Sequence, residues 1–503
     1  MSGNELSATY DLLIVGGGIN GAGIARDAAG RGLSVLLVEQ DDLAGHTSSA
    51  STKLIHGGLR YLEYGEFRLV RESLMERERL WRMAPHIIRP LRFVLPQTRS
   101  PRPAWMVRLG LFLYDHLGGR RALPATQTIA LDRSPLGSGL ANRRGKGFVY
   151  SDCWVEDSRL VVLNAMDAAE RGADIRTRTR LVRARRDGDR WRAEIVDHSG
   201  TTEVRASILV NAGGPWVAEV IRAAGLARER GVRLVKGSHI VVPRLYDGDH
   251  AFMLQNADRR IVFAIPYEGR FTLIGTTDQP WAGAPAKVGI DATETAYLLD
   301  TVNRYFVQQI GSGDIVWSYA GIRPLYDDQA GNPSAVTRDY MLDLDKEGAP
   351  LLSVFGGKIT TYRRLAEHAL DLLGTGSAWT AGAVLPGGDM TSGDFDAFLD
   401  RLIAGRPGMP PTLLRRLARA YGTRAGRLLG NAQCLDDLGP LLAGDLSAAE
   451  VDYLVSQEWA RTSEDILYRR SKLGLHLAGE AAARIDEYLD ASSSLSAPLR
   501  KGR

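Results

Sequence analysis

Apolar residues open the chain as a run, Leu12, Leu13, Ile14 and Val15, directly after Asp11. Gly16, Gly17 and Gly18 break the run, a helical pattern carries the chain to Gly32, and a second apolar run, residues 35–38, ends at Glu39. This order predicts strand, glycine turn, helix, strand and terminal acid. Gly16, Gly18 and Gly21 fit G-x-G-x-x-G. In that motif the first glycine allows a tight turn, the second lets a pyrophosphate approach bare backbone, and the third lets helix and strand pack closely. The helix N-terminus offers N–H groups and a positive dipole end to phosphates. Glu39 is then placed to accept hydrogen bonds from a ribose. The bland alternative is a structural glycine turn, but the flanking strands and the acid favour a dinucleotide site. The glycines leave open which dinucleotide it is.

Further along, the pattern changes character several times. Residues 45–61 are polar and rich in small hydroxyl side chains, ending in Gly57, Gly58, Arg60 and Tyr61. Residues 67–83 read as a charged amphipathic helix. Residues 105–114 are apolar and aromatic. Strand patterns follow at 173–186, 191–197 and 204–210, the last running into Asn211, Gly213 and Gly214. Apolar alternation over 232–242 contains Lys236 and His239, and paired strands at 261–265 and 271–274 predict an antiparallel sheet. A buried strand at 351–355 enters a second glycine turn, Gly356 and Gly357, at another helix start. After Gly388 four helical patterns follow, at 395–402, 412–420, 449–458 and 477–488.

These elements predict an α/β plus α protein. A Rossmann-like dinucleotide-binding domain would be assembled from separated segments, residues 10–80, 145–225 and 345–385. Residues 81–144 and 226–344 would form an inserted antiparallel-sheet substrate domain. Residues 386–490 would be a helical C-terminal domain, followed by a disordered Ser-rich tail, 491–503.

Composition narrows the function. With 63 Lys plus Arg against 59 Asp plus Glu, the net charge of +4 gives no reason to expect a nucleic-acid partner. The two cysteines, Cys153 and Cys434, have neither metal-ligand spacing nor a disulfide framework, so no metal is expected and a reducing, cytoplasmic setting is. No leader is read before Asp11, and no run reaches the ~18 apolar residues of a membrane span. Between Arg79 and Tyr114, however, seven arginines stand without an acid. A basic flank beside an aromatic helix suits a peripheral anchor on anionic lipid, with residues 89–117 as the candidate. A buried helix with a solvated basic lead-in is the other reading.

Taken in order, residues 16–21, 51–61, 236–242, 321–324, 337–340, 353–363 and 465–474 resemble the aerobic FAD-dependent glycerol-3-phosphate dehydrogenases, flavoproteins of the D-amino-acid-oxidase-like superfamily. The resemblance runs from Asp11 to about Tyr488. It implies FAD as cofactor, sn-glycerol 3-phosphate as substrate, dihydroxyacetone phosphate as product, a membrane quinone as electron acceptor, a place on the cytoplasmic face of the inner membrane, and a homodimer. By resemblance, Arg60, Tyr61, Arg338 and Lys358 hold the substrate phosphate, and His239 and Arg323 sit at the C2 oxygen. His239 is the expected base, because an unperturbed histidine titrates near ~6.5. Arg323 would stabilise the developing alkoxide. Expected cofactor contacts are Gly16, Gly18, Gly21, Glu39, Thr47 and Ser48 from the first unit. Ser51, Lys53, Leu54, His56, Gly57 and Gly58 continue the set, and Gly214, Gly356, Gly357, Lys358 and Thr360 complete it. Thr52 stands where Ser is expected, and Gly213 where Thr or Ala is usual; neither is expected to touch a site residue. The rival readings are an oxygen-using glycerol-3-phosphate oxidase, an amine or amino-acid oxidase of the same superfamily, a non-catalytic FAD protein and a pyridine-nucleotide enzyme.

Overall fold

The computed structural model describes residues 8–119, 122–226, 232–275, 277–326, 339–477 and 479–496. Two compact units emerge: residues 1–83 with 88–383, and residues 84–87 with 384–503.

The first unit holds two sheets. In one, the strands run in the order Met341–Asp345, Leu351–Phe355, Gly200–Asn211, Thr9–Val15, Val35–Val38 and Asp174–Arg176. All pairings along this path are parallel except the outermost, Met341–Asp345 against Leu351–Phe355. Leu12, Leu13 and Ile14 are fully buried. An unbroken aliphatic run is what a parallel strand covered on both faces needs. Helix Ile19–Gly30 packs between helices Asp157–Glu170 and Tyr362–Leu372. Its entry is tight. Gly16 has φ +113°, and a Cβ at Gly21 would collide with the Gly16 carbonyl oxygen. Only glycine fits at either place.

The second sheet has ten strands; Val232–Pro243 pairs with Trp317–Tyr326 over residues 232–241 and with Phe271–Gly275 over residues 239–243, so that His239 lies where it has both as neighbours. Its pairings are antiparallel apart from Ile88–Pro96 with Ala251–Gln255. Val94, Ile240, Phe252 and Leu298 form its core. Helix Ala292–Tyr305 covers it, and the helix starts at a capping box in which Asp291 accepts from the Glu294 N–H at 2.9 Å.

The boundaries between the two sheets differ from expectation. Lys146–Val155, placed by pattern with the dinucleotide-binding segments, pairs with Ile88–Pro96 in the second sheet. Nine of its ten residues are buried, so it shows no alternation to give it away. Of the candidate lipid-facing segment, residues 89–117, strand Ile88–Pro96 has neighbours on both sides, and the exposed large apolar side chains Trp105, Met106, Leu109 and Phe112 lie on helix Ala104–Leu117. Among the described residues no helix is long and apolar enough to cross a membrane.

The second unit is mainly helical, with Phe395–Ala404, Pro411–Tyr421, Ala448–Glu458 and Glu480–Ser496 as its longer helices. Leu414, Leu417, Val451, Leu454 and Ile485 are central to its core. Glu480–Ser496 runs six residues into the stretch expected to be disordered. Ala and Ser there do not stop a helix already under way, since no Gly or Pro intervenes. Residues 497–503 lie outside the described residues.

Candidate functional site

At the C-terminal edge of the parallel sheet lies a cavity of about 580 Å³. Of the expected cofactor residues, Gly16, Gly18, Glu39, Thr47 and Ser48 line it, as do Gly214, Gly356 and Gly357. Gly21 lies beneath, packed on Gly16. The Ser48 hydroxyl accepts from the Ile19 N–H at 3.0 Å, fixing the loop against the helix start. Glu39 is buried and accepts N–H bonds from Gly17 at 2.6 Å and Asp41 at 2.9 Å. Burial raises its pKa, and the two N–H donors oppose the rise. Thr179, Leu181 and Val182, none of them foreseen, line the cavity beyond Glu39. They follow a positive-φ Arg178, a local kink with no motif to mark it. The cavity fits an extended dinucleotide. Its volume suits a large ligand, and side chains on its glycines would fill the cradle or strain the turns. At Gly214 nothing stands within 4 Å, and only its φ of +55° favours glycine.

The loop after the cavity divides in two. Ser51 and Lys53 turn away from the cavity to a buried acid. Ser51 Oγ donates to Asp157 Oδ2 at 2.8 Å, and Lys53 Nζ to Asp157 Oδ1 at 2.8 Å. Both Lys53 and Asp157 side chains are fully buried. These two side chains are thus fastened to protein, and only backbone is left for a cofactor. Leu54 is buried in a short strand paired with Trp154. The Gly57 N–H donates to the Tyr114 hydroxyl at 2.7 Å, and the Gly58 N–H to His56 Nδ1 at 3.1 Å. Thr360 accepts from the His56 N–H at 3.3 Å, tying this loop to the second glycine turn.

The expected cations of the substrate site do not line this cavity, and Lys358 follows directly after the second glycine turn. The Lys358 ammonium lies 4.0 Å from the centre of the Tyr61 ring. It is buried and has no hydrogen-bond partner. Arg60 Nε is also buried without one. Arg323 is half-exposed and pairs with Asp278. Arg338 lies outside the described residues.

His239 lies within reach of the Arg323 and Lys53 charges. Its ring stacks on Tyr319 with centroids 4.8 Å apart. On its other side a Cβ at Gly275 would collide with it. Nε2 is 3.0 Å from Thr52 Oγ1, while Nδ1 is buried without a partner. Burial holds its pKa well below 6.5, and the Arg323 and Lys53 cations push the same way. The expectation of an ordinary histidine titrating near neutrality is therefore corrected: burial and the two cations favour the neutral ring. His56 is likewise lowered, first by burial and then by Lys358, Arg77 and Arg323, against the opposing charge of Asp152. Arg323 thus acts on both histidines. The expectation that Thr52 touches no site residue is also corrected, because its hydroxyl is the contact of His239. Asp157 and Tyr319 were missed altogether. Their hydrogen-bond partners in the 51–53 loop lie more than a hundred residues away, and no local motif marks either.

A family model described as FAD dependent oxidoreductase matches residues 11–363. A second, the C-terminal domain of alpha-glycerophosphate oxidase, matches residues 378–495. A glycerol-3-phosphate dehydrogenase of Pseudomonas aeruginosa is 56% identical over 96% of both chains. A D-erythritol 1-phosphate dehydrogenase of Brucella abortus is 54% identical over 96% of this chain and 98% of its own. The crystal structure of the glycerol-3-phosphate dehydrogenase from Bacillus halodurans, complexed with FAD, superposes with a TM-score of 0.72 and 26% identity. It covers 98% of this chain and 97% of its own.

Proposed function

The chain belongs to the FAD-dependent oxidoreductase family, in the branch that holds bacterial glycerol-3-phosphate dehydrogenases, and we propose that it oxidises sn-glycerol 3-phosphate to dihydroxyacetone phosphate. The observation that carries the substrate is the Lys358 ammonium, buried without a hydrogen-bond partner; Arg60 Nε is also buried without one. Buried charges in proteins are normally paired. A phosphate dianion supplies the missing partner for both, and charge-assisted bonds to it are strong. Arg338 is assigned to the same phosphate from its place in the sequence motif.

FAD, held by the 16–21 turn, Glu39, Gly214 and the 356–357 turn, supplies the hydride acceptor when bound. The protein residues do the rest. Tyr61 and Lys358 fix the phosphate end, so that C2 is presented in one orientation. His239 accepts the proton of the C2 hydroxyl. Being neutral, it has a free lone pair at any working pH above its lowered pKa. Arg323 offers its guanidinium to the oxygen as negative charge develops there.

A second substrate reading rests on the Brucella abortus relative. D-Erythritol 1-phosphate is also a phosphorylated polyol, and a cation cluster that grips phosphate does not separate it from glycerol 3-phosphate. Visible absorption of the yellow, anaerobic protein tests both. Bleaching by sn-glycerol 3-phosphate at low concentration is expected. Bleaching by D-erythritol 1-phosphate alone moves the assignment to the longer substrate, and bleaching by neither overturns it.

Electrons then pass to a membrane quinone, with the protein peripheral on the cytoplasmic face of the inner membrane and assembled as a homodimer. Support for docking comes from helix Ala104–Leu117. Trp105, Leu109 and Phe112 share one face by helical spacing, and Trp105 is 70% exposed. Arg99 and Arg108, both exposed, flank them, a pairing suited to an anionic lipid surface. Flotation with anionic but not neutral liposomes is expected. Hydrogen peroxide formed at the rate of turnover would replace quinone by oxygen, and light scattering at the mass of one chain would remove the dimer.

A further inference from the structure

We propose that Thr52 is a positioning residue for His239, fixing which ring nitrogen carries the proton; this rests on the reading of His239 as the proton acceptor.

A neutral imidazole has one N–H and one lone pair. Only one of the two tautomers suits this pocket. If the proton sat on Nδ1, a buried N–H would have no acceptor, since that atom has no partner. Buried N–H groups without partners are rare and costly. With the proton on Nε2, the N–H donates to Thr52 Oγ1 across 3.0 Å. Nδ1 then keeps the lone pair. The base reading then requires the substrate hydroxyl to reach this buried nitrogen, and Thr52 supports the charge that appears on the ring as the proton arrives.

The hydroxyl can set the tautomer only if it is itself held. Residue 52 lies between two residues fastened to a single buried carboxylate. Ser51 donates to Asp157 through its hydroxyl, Lys53 through its ammonium. Lys53 also adopts φ +59°, a conformation that a non-glycine residue keeps only when its surroundings impose it. The Lys53 ammonium donates further to the Ser49 carbonyl at 3.0 Å. Tyr319 reinforces the geometry from the other side. Its ring stacks on His239, and its hydroxyl donates to the Ser51 carbonyl at 2.8 Å. The imidazole therefore has little freedom to rotate, and Thr52 stands at a defined nitrogen. The site's histidine is oriented by a hydroxyl. The usual carboxylate orienter would add a negative charge where a phosphate dianion must bind.

The test uses the FAD-loaded full chain in rapid-mixing flavin reduction with sn-glycerol 3-phosphate. Thr52→Val should slow the reduction step about 10-fold, the loss of one such hydrogen bond, while the substrate dissociation constant and the melting temperature stay put. Thr52→Ser should restore the rate. In a His239→Ala background, Thr52→Val should cost nothing more, because Thr52 acts through the ring. ¹⁵N-histidine spectra should show His239 Nε2 protonated in the wild type and a mixture of tautomers in Thr52→Val. The outcomes separate the two claims. If His239→Ala reduces flavin at the wild-type rate, the base assignment falls. If His239→Ala is slow while Thr52→Val is not, or if Thr52→Val slows the double variant equally, the Thr52 inference falls and the base assignment stands.

Discussion

Lys53 is a buried lysine and Lys358 a half-buried one whose ammonium is buried, and their surroundings are opposite. Lys53 donates to Asp157 and to the Ser49 carbonyl, and its charge is neutralised within the protein. Lys358 has an aromatic ring under it and no hydrogen-bond partner. Lys236, between Asp291 and Glu294 at 2.8 Å from each, follows the Lys53 pattern. A buried cation that is already paired holds the fold together, while one left with an aromatic ring and no acid is held ready for an anion from outside. Both lysines look alike in a motif, since each follows a small-residue turn. The distinction lies in where an acid is placed, and that is a tertiary fact.

The largest effect should come from the paired side. Asp157→Ala leaves the Lys53 ammonium buried and unpaired, and breaking a buried pair costs about 3–5 kcal/mol. Urea unfolding followed by tryptophan fluorescence should show that loss. Replacing both partners with apolar residues, Asp157→Leu with Lys53→Met, should recover most of it. A single-variant loss under about 1 kcal/mol would mean that the pair is not what holds the loop.

Lys358→Met should behave in the opposite way. Removing an uncompensated buried charge leaves stability unchanged or improves it. Binding of the phosphorylated substrate should weaken by about 2–5 kcal/mol, 30-fold or more in the dissociation constant. Titration of flavin absorbance with dihydroxyacetone phosphate reads this directly. A variant that loses stability and keeps its affinity would reverse the roles assigned to the two lysines.

Much of this architecture was legible along the chain. The dinucleotide unit announced itself because strand, glycine turn and acid lie within thirty residues. Helix Phe67–Met83 was read to the residue from its apolar periodicity, and strand Leu351–Phe355 from a short apolar run that ends at a glycine turn. Lys146–Val155 was not, since its buried stretch has no alternation and includes the polar Ser151 and Asp152. Among the site residues, cations and glycines were found through the motifs that carry them. Asp157 was passed over because an acid at a helix start is ordinary, and its partners Ser51 and Lys53 lie 106 and 104 positions away. Thr52 was discounted for a similar reason: a hydroxyl for a hydroxyl looks silent until it is seen against His239.

A smaller effect should appear with pH. His239 and His56 are both lowered by burial, one near Lys53 and the other near Lys358. His250 is pushed down to about 4, again mainly by burial. A histidine whose folded pKa lies below its unfolded value of ~6.5 takes up a proton on unfolding. Its contribution is fully present above ~6.5 and is lost as pH falls through 6.5 toward the folded value, by up to ~1.4 kcal/mol per pH unit for each ring. Urea unfolding at pH 8, 6 and 5 should therefore show stability level down to about 6.5 and falling below it. A profile flat to pH 5 would mean that these rings are protonated or exposed in the folded chain. In Lys358→Met one repulsion on His56 is removed, so the fall should be slightly shallower.

The smallest effect tests which contacts of the unpaired side count at all. Arg60 Nη2 stands 3.5 Å from the Tyr64 hydroxyl, too long for a strong bond, and the contact is exposed. Its Nε, buried without a partner, is the atom assigned to the ligand. If Arg60 belongs with Lys358, the Tyr64 contact contributes almost nothing, because exposed contacts of this kind are worth at most a few tenths of a kcal/mol. Tyr64→Phe should then leave substrate affinity within about twofold and the melting temperature unchanged, whereas Arg60→Met should weaken affinity on the scale of Lys358→Met. If instead Tyr64→Phe lowers affinity as much as Arg60→Met does, Arg60 is a partnered cation like Lys53, oriented by Tyr64. The unpaired group would then shrink to Lys358 alone among the described residues.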